Sequence, residues 1–216
     1  MDRKERLIRQ IEDEARYSGD DSGRPRLSGR VLDAVRAVPR EAFVPGNLAG
    51  QAYDNTPLPI SEGQTISQPF IVALMTELLD PEPGDRVLEV GTGCGYQAAV
   101  LAELVAEVYS IEYLPALGES ARERLGRLGY ANVHLRVGDG RQGWPEAAPF
   151  DGILVTAGAH EVPPALVEQL APGGRLVIPV GRAIWGQDLQ VIEKEEGGGV
   201  TTRSVLPVAF VPLVGG

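Results

Sequence analysis

Three glycines spaced by two, Gly91, Gly93 and Gly95, follow an apolar run that carries an acid, Leu88-Glu89-Val90, and precede a helix-forming stretch from Gln97 to Leu104. A strand that turns over glycines into a helix makes a ligand cradle. Glycine permits positive φ and close approach of the backbone to a ligand, and the first N–H groups of the helix, lacking intrahelical partners, point into the same space. Glu89, Gly91, Thr92, Gly93, Cys94 and Gly95 are therefore candidate binding residues. One βαβ unit further on, Val108-Tyr109-Ser110-Ile111 ends at Glu112. An acid about 20 positions beyond such a loop suits ribose hydroxyls; the plainer alternative is a surface glutamate at a strand end. The next β-prone run, Val133–Val137, leads into Gly138-Asp139-Gly140, which puts Asp139 and Gly140 near the expected adenine edge. On its own an Asp-Gly pair is an ordinary turn. Together, the three features fall at the ends of successive expected strands, where ligands of open α/β sheets bind.

The spacing also separates ligand classes. A dinucleotide fingerprint reads G-x-G-x-x-G and seats a pyrophosphate on the helix N-terminus. Here the third glycine comes one residue early and Tyr96 follows it. The order acidic-x-G-x-G-x-G instead resembles the first motif of the class I methyltransferases that use S-adenosyl-L-methionine. That resemblance implies a ligand without phosphate, held by a loop that admits a zwitterionic methionine tail and a ribose. A Gly-rich turn with no ligand is the competing reading. Cys94 reads as a small filler in the loop rather than a nucleophile.

The elements that must position these residues are legible as alternating periods. Residues 4–17 read as an amphipathic helix with Leu7, Ile8 and Ile11 inward, and 18–26 as a polar loop. Ser28 can cap a second helix that Pro39 ends. From Phe43 to Ile66 the chain is punctuated by proline and glycine without a period, a feature often functional in a compact protein. Ile71, Leu74, Met75 and Leu78 then give one helix face, with Pro69 at its tolerant start. Strands are expected at 86–90, 107–111, 133–137, 152–156 and 175–179, with helices at 96–104, 116–128 and 164–170. Strands at 189–194 and 202–211 close the chain around a turn at 195–199. The fold class is α/β, a doubly wound, mostly parallel, Rossmann-like sheet with N-terminal helices and a C-terminal β-hairpin. Residues 1–80 form an N-terminal helical and loop region, and 81–216 a binding core, in one integrated domain.

Composition narrows the partners. The 216 residues carry a formal net charge of −10, which argues against sequence-independent binding to nucleic-acid phosphates. A single cysteine excludes an intramolecular disulfide framework and fits a reducing compartment. The N-terminus is charged and lacks a signal-peptide core, and no apolar stretch reaches the length of about 18 residues that spans a membrane. The cytoplasm is the expected location. Two histidines, no evident acid–base pair and no metal cluster suit a reaction that needs positioning more than proton transfer.

The stretch Ala52-Tyr53-Asp54-Asn55-Thr56-Pro57-Leu58-Pro59-Ile60-Ser61-Glu62-Gly63-Gln64-Thr65-Ile66-Ser67-Gln68-Pro69 closely resembles the protein-L-isoaspartate O-methyltransferase family. The likeness extends to Pro39-Arg40-Glu41-x-Phe43-Val44-Pro45, Val137-Gly138-Asp139-Gly140-Arg141, Leu170-x-Pro172-Gly173-Gly174-Arg175-Leu176 and Phe210-Val211-Pro212-Leu213. The G-Q-T-I-S-x-P element is the specific one; P-G-G-R-L is shared by many methyltransferases. The resemblance implies methyl transfer from S-adenosyl-L-methionine to the carboxylate of L-isoaspartyl residues in damaged proteins and peptides, leaving S-adenosyl-L-homocysteine. The methyl ester collapses to a succinimide that reopens partly to aspartate, so the enzyme would repair aged proteins. By resemblance Ser67 orients the acceptor carboxylate and Thr65 assists it, while Gln64 faces the cofactor. The plainer alternative is that Ser67 is the N-cap of the following helix, and both roles can hold together. Ile66, Val211 and Leu213 would hold the peptide in extended form. The expected state is a monomer, with no nucleic-acid or membrane partner.

Three positions depart from the family pattern. Asn55 stands where the family usually has aspartate, His160 replaces a usual proline, and Val214 replaces a polar residue of some relatives. His160 could face the site or solvent, and His134 is expected packed or exposed on its strand without a catalytic part. Another class I methyltransferase with a small-molecule or RNA acceptor, or a cofactor-binding module without turnover, are the competing readings.

Overall fold

The computed structural model describes residues 2–182 and 186–215. The chain opens with α1 (Arg3–Tyr17), α2 (Gly19–Ser22) and α3 (Gly29–Ala37). The Asp2 side chain accepts the Lys4 N–H at the start of α1, and Leu7, Ile8, Ile11 and Ala15 form its buried stripe. The short α2 replaces part of the expected 18–26 loop. Asp20 and Asp21 lie in its first turn, where acids complement the helix dipole, and Gly23 in the left-handed region ends it. Ser28 caps α3 by accepting the Val31 N–H at 3.3 Å, as expected.

The aperiodic segment is built of 3-10 turns and one small ladder, in which β1 (Leu58–Pro59) pairs antiparallel with β2 (Thr65–Ile66). It leads into α4 (Pro69–Leu79), with proline at its start. Strands and helices then alternate: β3 (Arg86–Val90), α5 (Tyr96–Ala102), β4 (Glu107–Glu112), α6 (Pro115–Leu128), β5 (Val133–Val137), β6 (Phe150–Val155), α7 (Pro164–Gln169), β7 (Leu170–Arg182), β8 (Gly186–Lys194) and β9 (Val200–Val208).

The large sheet has the order β5-β4-β3-β6-β7-β8-β9. Pairs from β5 through β7 are parallel, and β8 and β9 add antiparallel edges. Strand order reverses between β3 and β6, and the crevice at such a reversal is where doubly wound sheets bind ligands. Alternating side chains feed both faces. Val87 and Leu154 join the cluster that holds Leu7, Val31 and Leu74, whereas Leu88, Val90, Ile153 and Val155 pack with Leu166 and Ile178 on the other side. The closing hairpin forms with its turn at Glu195–Gly199. Its last strand stops at Val208 rather than Val211. The chain leaves the sheet there because the buried Gln187 side chain binds both backbone groups of Phe210, and Pro212 then bridges to Gly158 instead.

Candidate active site

A cleft opens at the carboxyl ends of β3, β4 and β6. Segment 64–67 closes one side and the tail 211–214 another.

The glycine loop forms the floor. Gly91 has φ +99°, and a Cβ built there would meet Thr156 Oγ1 at 2.5 Å. The Thr156 hydroxyl donates to the Gly91 carbonyl at 2.5 Å, locking the end of β6 against the loop. Glu112, nearly buried, accepts the Gly93 N–H at 2.7 Å on one oxygen and the Leu114 N–H at 2.9 Å on the other. Lone pairs remain on both oxygens for ribose hydroxyls. Glu89 is fully buried: Oε2 accepts from Ser110, whose hydroxyl also meets Thr92 Oγ1 at 2.6 Å, and Oε1 has no hydrogen-bond partner. Burial pushes the Glu89 carboxyl up to about 8, against the pull of the Ser110 hydroxyl. Burial likewise pushes the Cys94 thiol up to about 11, so Cys94 is a protonated wall residue at neutral pH, in line with the filler reading.

Not every expected cofactor residue faces the cleft. Thr92, Gly93, Cys94 and Gly140 line it with Glu89, Gly91 and Glu112. Gly95 lies outside the lining as the N-cap of α5, packed against Leu125. Asp139 is also outside it. Its carboxylate pairs with Arg141 at 2.8 Å and accepts the Arg141 N–H at 3.0 Å, and the guanidinium holds it below the usual carboxylate range. Asp139 thus braces the turn that places Gly140 in the wall. His160 is exposed and outside the lining; His134 is exposed and packs on the Tyr109 ring at 4.8 Å.

On the acceptor side, Gln64, Thr65, Ile66 and Ser67 all line the cleft, carried by β2 and its flanks. Ser67 is not the N-cap of α4. Gln68 holds that position without a capping side-chain bond, and Asn55 supplies the missing acceptor by taking the Phe70 N–H at 3.0 Å. The tail brings Val211 and Leu213 into the lining through Gly158 N–H to the Val211 carbonyl and Leu213 N–H to the Gly158 carbonyl, each 2.8 Å.

Several wall residues carried no sequence signal of their own, among them Gln97, Tyr113, Leu114, Thr156 and Ala157. Arg40 carries no sequence signal beyond the Pro39-Arg40-Glu41 match. It is fully buried, and its guanidinium donates to the carbonyls of Ala52 at 2.6 Å and of Thr56 and Ser67 at 3.1 Å each. It also lies 5.7 Å from the Tyr96 ring centroid. Burial lowers its pKa, partly offset by Tyr96.

Comparison with known proteins agrees with this geometry. Residues 21–216 match the sequence profile of the family described as protein-L-isoaspartate(D-aspartate) O-methyltransferase. The chain is 56% identical over 211 residues to protein-L-isoaspartate O-methyltransferase 2 of Syntrophobacter fumaroxidans, covering 98% of this chain and 85% of that protein. A solved protein-L-isoaspartate O-methyltransferase superposes with a TM-score of 0.84 at 30% identity, over 98% of this chain and 66% of that one. The Plasmodium falciparum structure described as a protein-L-isoaspartate O-methyltransferase in complex with S-adenosyl-L-homocysteine gives 0.81 at 26% identity, over 99% of both chains. The chain belongs to the protein-L-isoaspartate(D-aspartate) O-methyltransferase family.

Proposed function

We propose that this protein moves the methyl group of S-adenosyl-L-methionine to the side carboxylate of L-isoaspartyl residues in damaged proteins and peptides. One observation carries the reading: a single cleft is lined both by the acids Glu89 and Glu112 and by the hydroxyl-bearing Thr65–Ser67 segment. A cationic cofactor belongs against the acids and an anionic acceptor against the hydroxyls.

The residues present fit the cofactor. The partnerless Glu89 Oε1 suits a nearby cation, the backbone at Gly91–Gly93 admits close approach, and Glu112 can accept from ribose hydroxyls. S-adenosyl-L-methionine supplies an electrophilic methyl on a sulfonium. The acceptor is already an anion, so no residue needs to remove a proton. Ser67 and Thr65 orient the carboxylate by hydrogen bonding, and holding acceptor and methyl in line lowers the barrier by positioning. Ile66, Val211 and Leu213 contact the extended peptide around the isoaspartyl residue. The same reading has residues 1–80 and 81–216 acting as one unit, as a cytoplasmic monomer without a nucleic-acid partner. Among the described residues no helix is long and apolar enough to cross a membrane.

The test is transfer of labelled methyl from S-adenosyl-L-methionine to a peptide carrying one L-isoaspartyl residue, with its normal aspartyl twin as control. Label in the isoaspartyl peptide alone supports the assignment. Label in neither, with cofactor binding intact, removes it.

A further inference from the structure

We propose that Glu14 is a positioning residue for methyl transfer, through which α1 holds the acceptor segment in register; the proposal rests on the acceptor role of Ser67 given above. Glu14 lies near the end of α1, half-buried and outside the cleft lining. Its carboxylate accepts the Asn55 amide N–H at 2.7 Å. It also accepts the Gln68 amide, at 3.1 Å on one oxygen and 3.0 Å on the other. Asn55 and Gln68 stand at the two ends of the loop that carries Thr65, Ile66 and Ser67. One carboxylate on a separate helix thus closes that loop at its base.

The connection reaches Ser67 by short steps. Gln68 is the next residue and the N-cap of α4. The other end of the Asn55 amide, Oδ1, accepts the Phe70 N–H at 3.0 Å, so the entry to α4 is fixed by a side chain whose own orientation Glu14 sets. Arg40 in turn holds the Ser67 carbonyl at 3.1 Å. With both contacts in place, the Ser67 side chain keeps one direction into the cleft. Charge-assisted bonds of this kind are about twice as strong as neutral ones, and a misplacement of an ångström at a reacting group costs orders of magnitude in rate.

The donor–acceptor logic is strict. Asn55 donates toward Glu14 and accepts from Phe70, and an ionised carboxylate cannot do both. An aspartate at 55 would set one carboxylate against another, and a glutamine at 14 would then supply the missing donor. The test therefore uses Glu14→Gln, Asn55→Asp and the double variant beside the wild type, each assayed at a temperature where it is fully folded. Asn55→Asp should lower kcat for the isoaspartyl peptide about tenfold, and Glu14→Gln alone by a smaller factor. The double variant should recover most of the loss, with the Kd for S-adenosyl-L-homocysteine unchanged throughout. Hydrogen exchange of the peptide spanning residues 64–70 should rise in each single variant and fall back in the double. This readout needs no turnover, so an inactive wild type would sink the functional reading while exchange still decides this one. A double variant with exchange no lower than Asn55→Asp overturns the proposal. So do single variants with wild-type kcat and exchange. A loss of kcat matched by a loss of cofactor affinity would also overturn it, because it marks general disruption rather than positioning. If Asn55→Asp fails to fold, Glu14→Gln alone decides, by the same kcat and exchange readouts.

Discussion

Glu112 at the end of β4 accepts the backbone N–H of Gly93, in the glycine loop after β3, at 2.7 Å. The acid expected to read the ribose therefore also shapes the loop that receives the rest of the cofactor. Removing it loses both roles. Glu112→Ala should weaken S-adenosyl-L-homocysteine binding by about 1.5–3 kcal/mol for the lost charge-assisted bonds. Glu112→Gln should fall between, because its amide oxygen can still accept from Gly93. Titration calorimetry on both variants checks this; unchanged affinity in Glu112→Ala would remove the ribose assignment.

Glu89 predicts a pH dependence with a defined sign. Its carboxyl lies at about 8 in the folded protein, against about 4.3 in an unfolded chain. Between those values the native state holds a proton that the unfolded state has lost. The stability from this group is complete below the unfolded value and is lost as pH rises toward about 8. Each pH unit in the window corresponds to about 1.4 kcal/mol, an upper bound for one site. Cationic cofactor favours the ionised form, so affinity should rise across the same window. Glu89→Gln should flatten both slopes, read by thermal melts and calorimetry from about pH 6 to about pH 9.

Ser67 lines the cleft beside Thr65 but lies outside the glycine loop. Ser67→Ala should leave the cofactor Kd unchanged and lower kcat for the isoaspartyl peptide by about tenfold or more, the loss expected when one positioned hydrogen bond to the acceptor disappears. Equal turnover would take Ser67 out of the reaction.

Arg40 ties Ala52, Thr56 and Ser67 to one point through their carbonyls. Arg40→Met would keep the volume and leave those acceptors without their donor in a dry site. The expected cost is about 3–5 kcal/mol of stability, since each orphaned buried acceptor costs about 1–3 kcal/mol. Urea denaturation measures it. Arg40→Lys should lose nearly as much, because one ammonium cannot reproduce the two-armed geometry.

Gln187 pairs with Phe210 as a strand residue would, accepting its N–H at 2.7 Å and donating to its carbonyl at 3.2 Å. It also fills the space that a side chain at position 158 would need. Gln187→Ala should free the tail that carries Val211 and Leu213. The expected result is a KM for the isoaspartyl peptide raised about tenfold, with kcat and cofactor Kd nearly unchanged. Steady-state kinetics with varied peptide separates this from a loss of folded enzyme.

What the sequence determined by itself was local. Hydrophobic period and turn residues set the order of strands and helices, because side-chain direction repeats every two residues in a strand and every 3.6 in a helix. Ser28 could be read as a cap because its partner is three residues away. The glycine loop was legible because backbone freedom is a property of the residue itself. Tertiary structure decided what depends on pairs distant in the chain. Glu14 meets Asn55 and Gln68 from 41 and 54 positions away. Thr156 locks Gly91 from 65 away. Asn55 takes the capping role that local grammar allowed to Ser67, from 15 positions away. No local pattern encodes such pairings, because hydrogen bonds and ion pairs depend on where atoms lie in space, and only the folded sheet and its helices bring these atoms together.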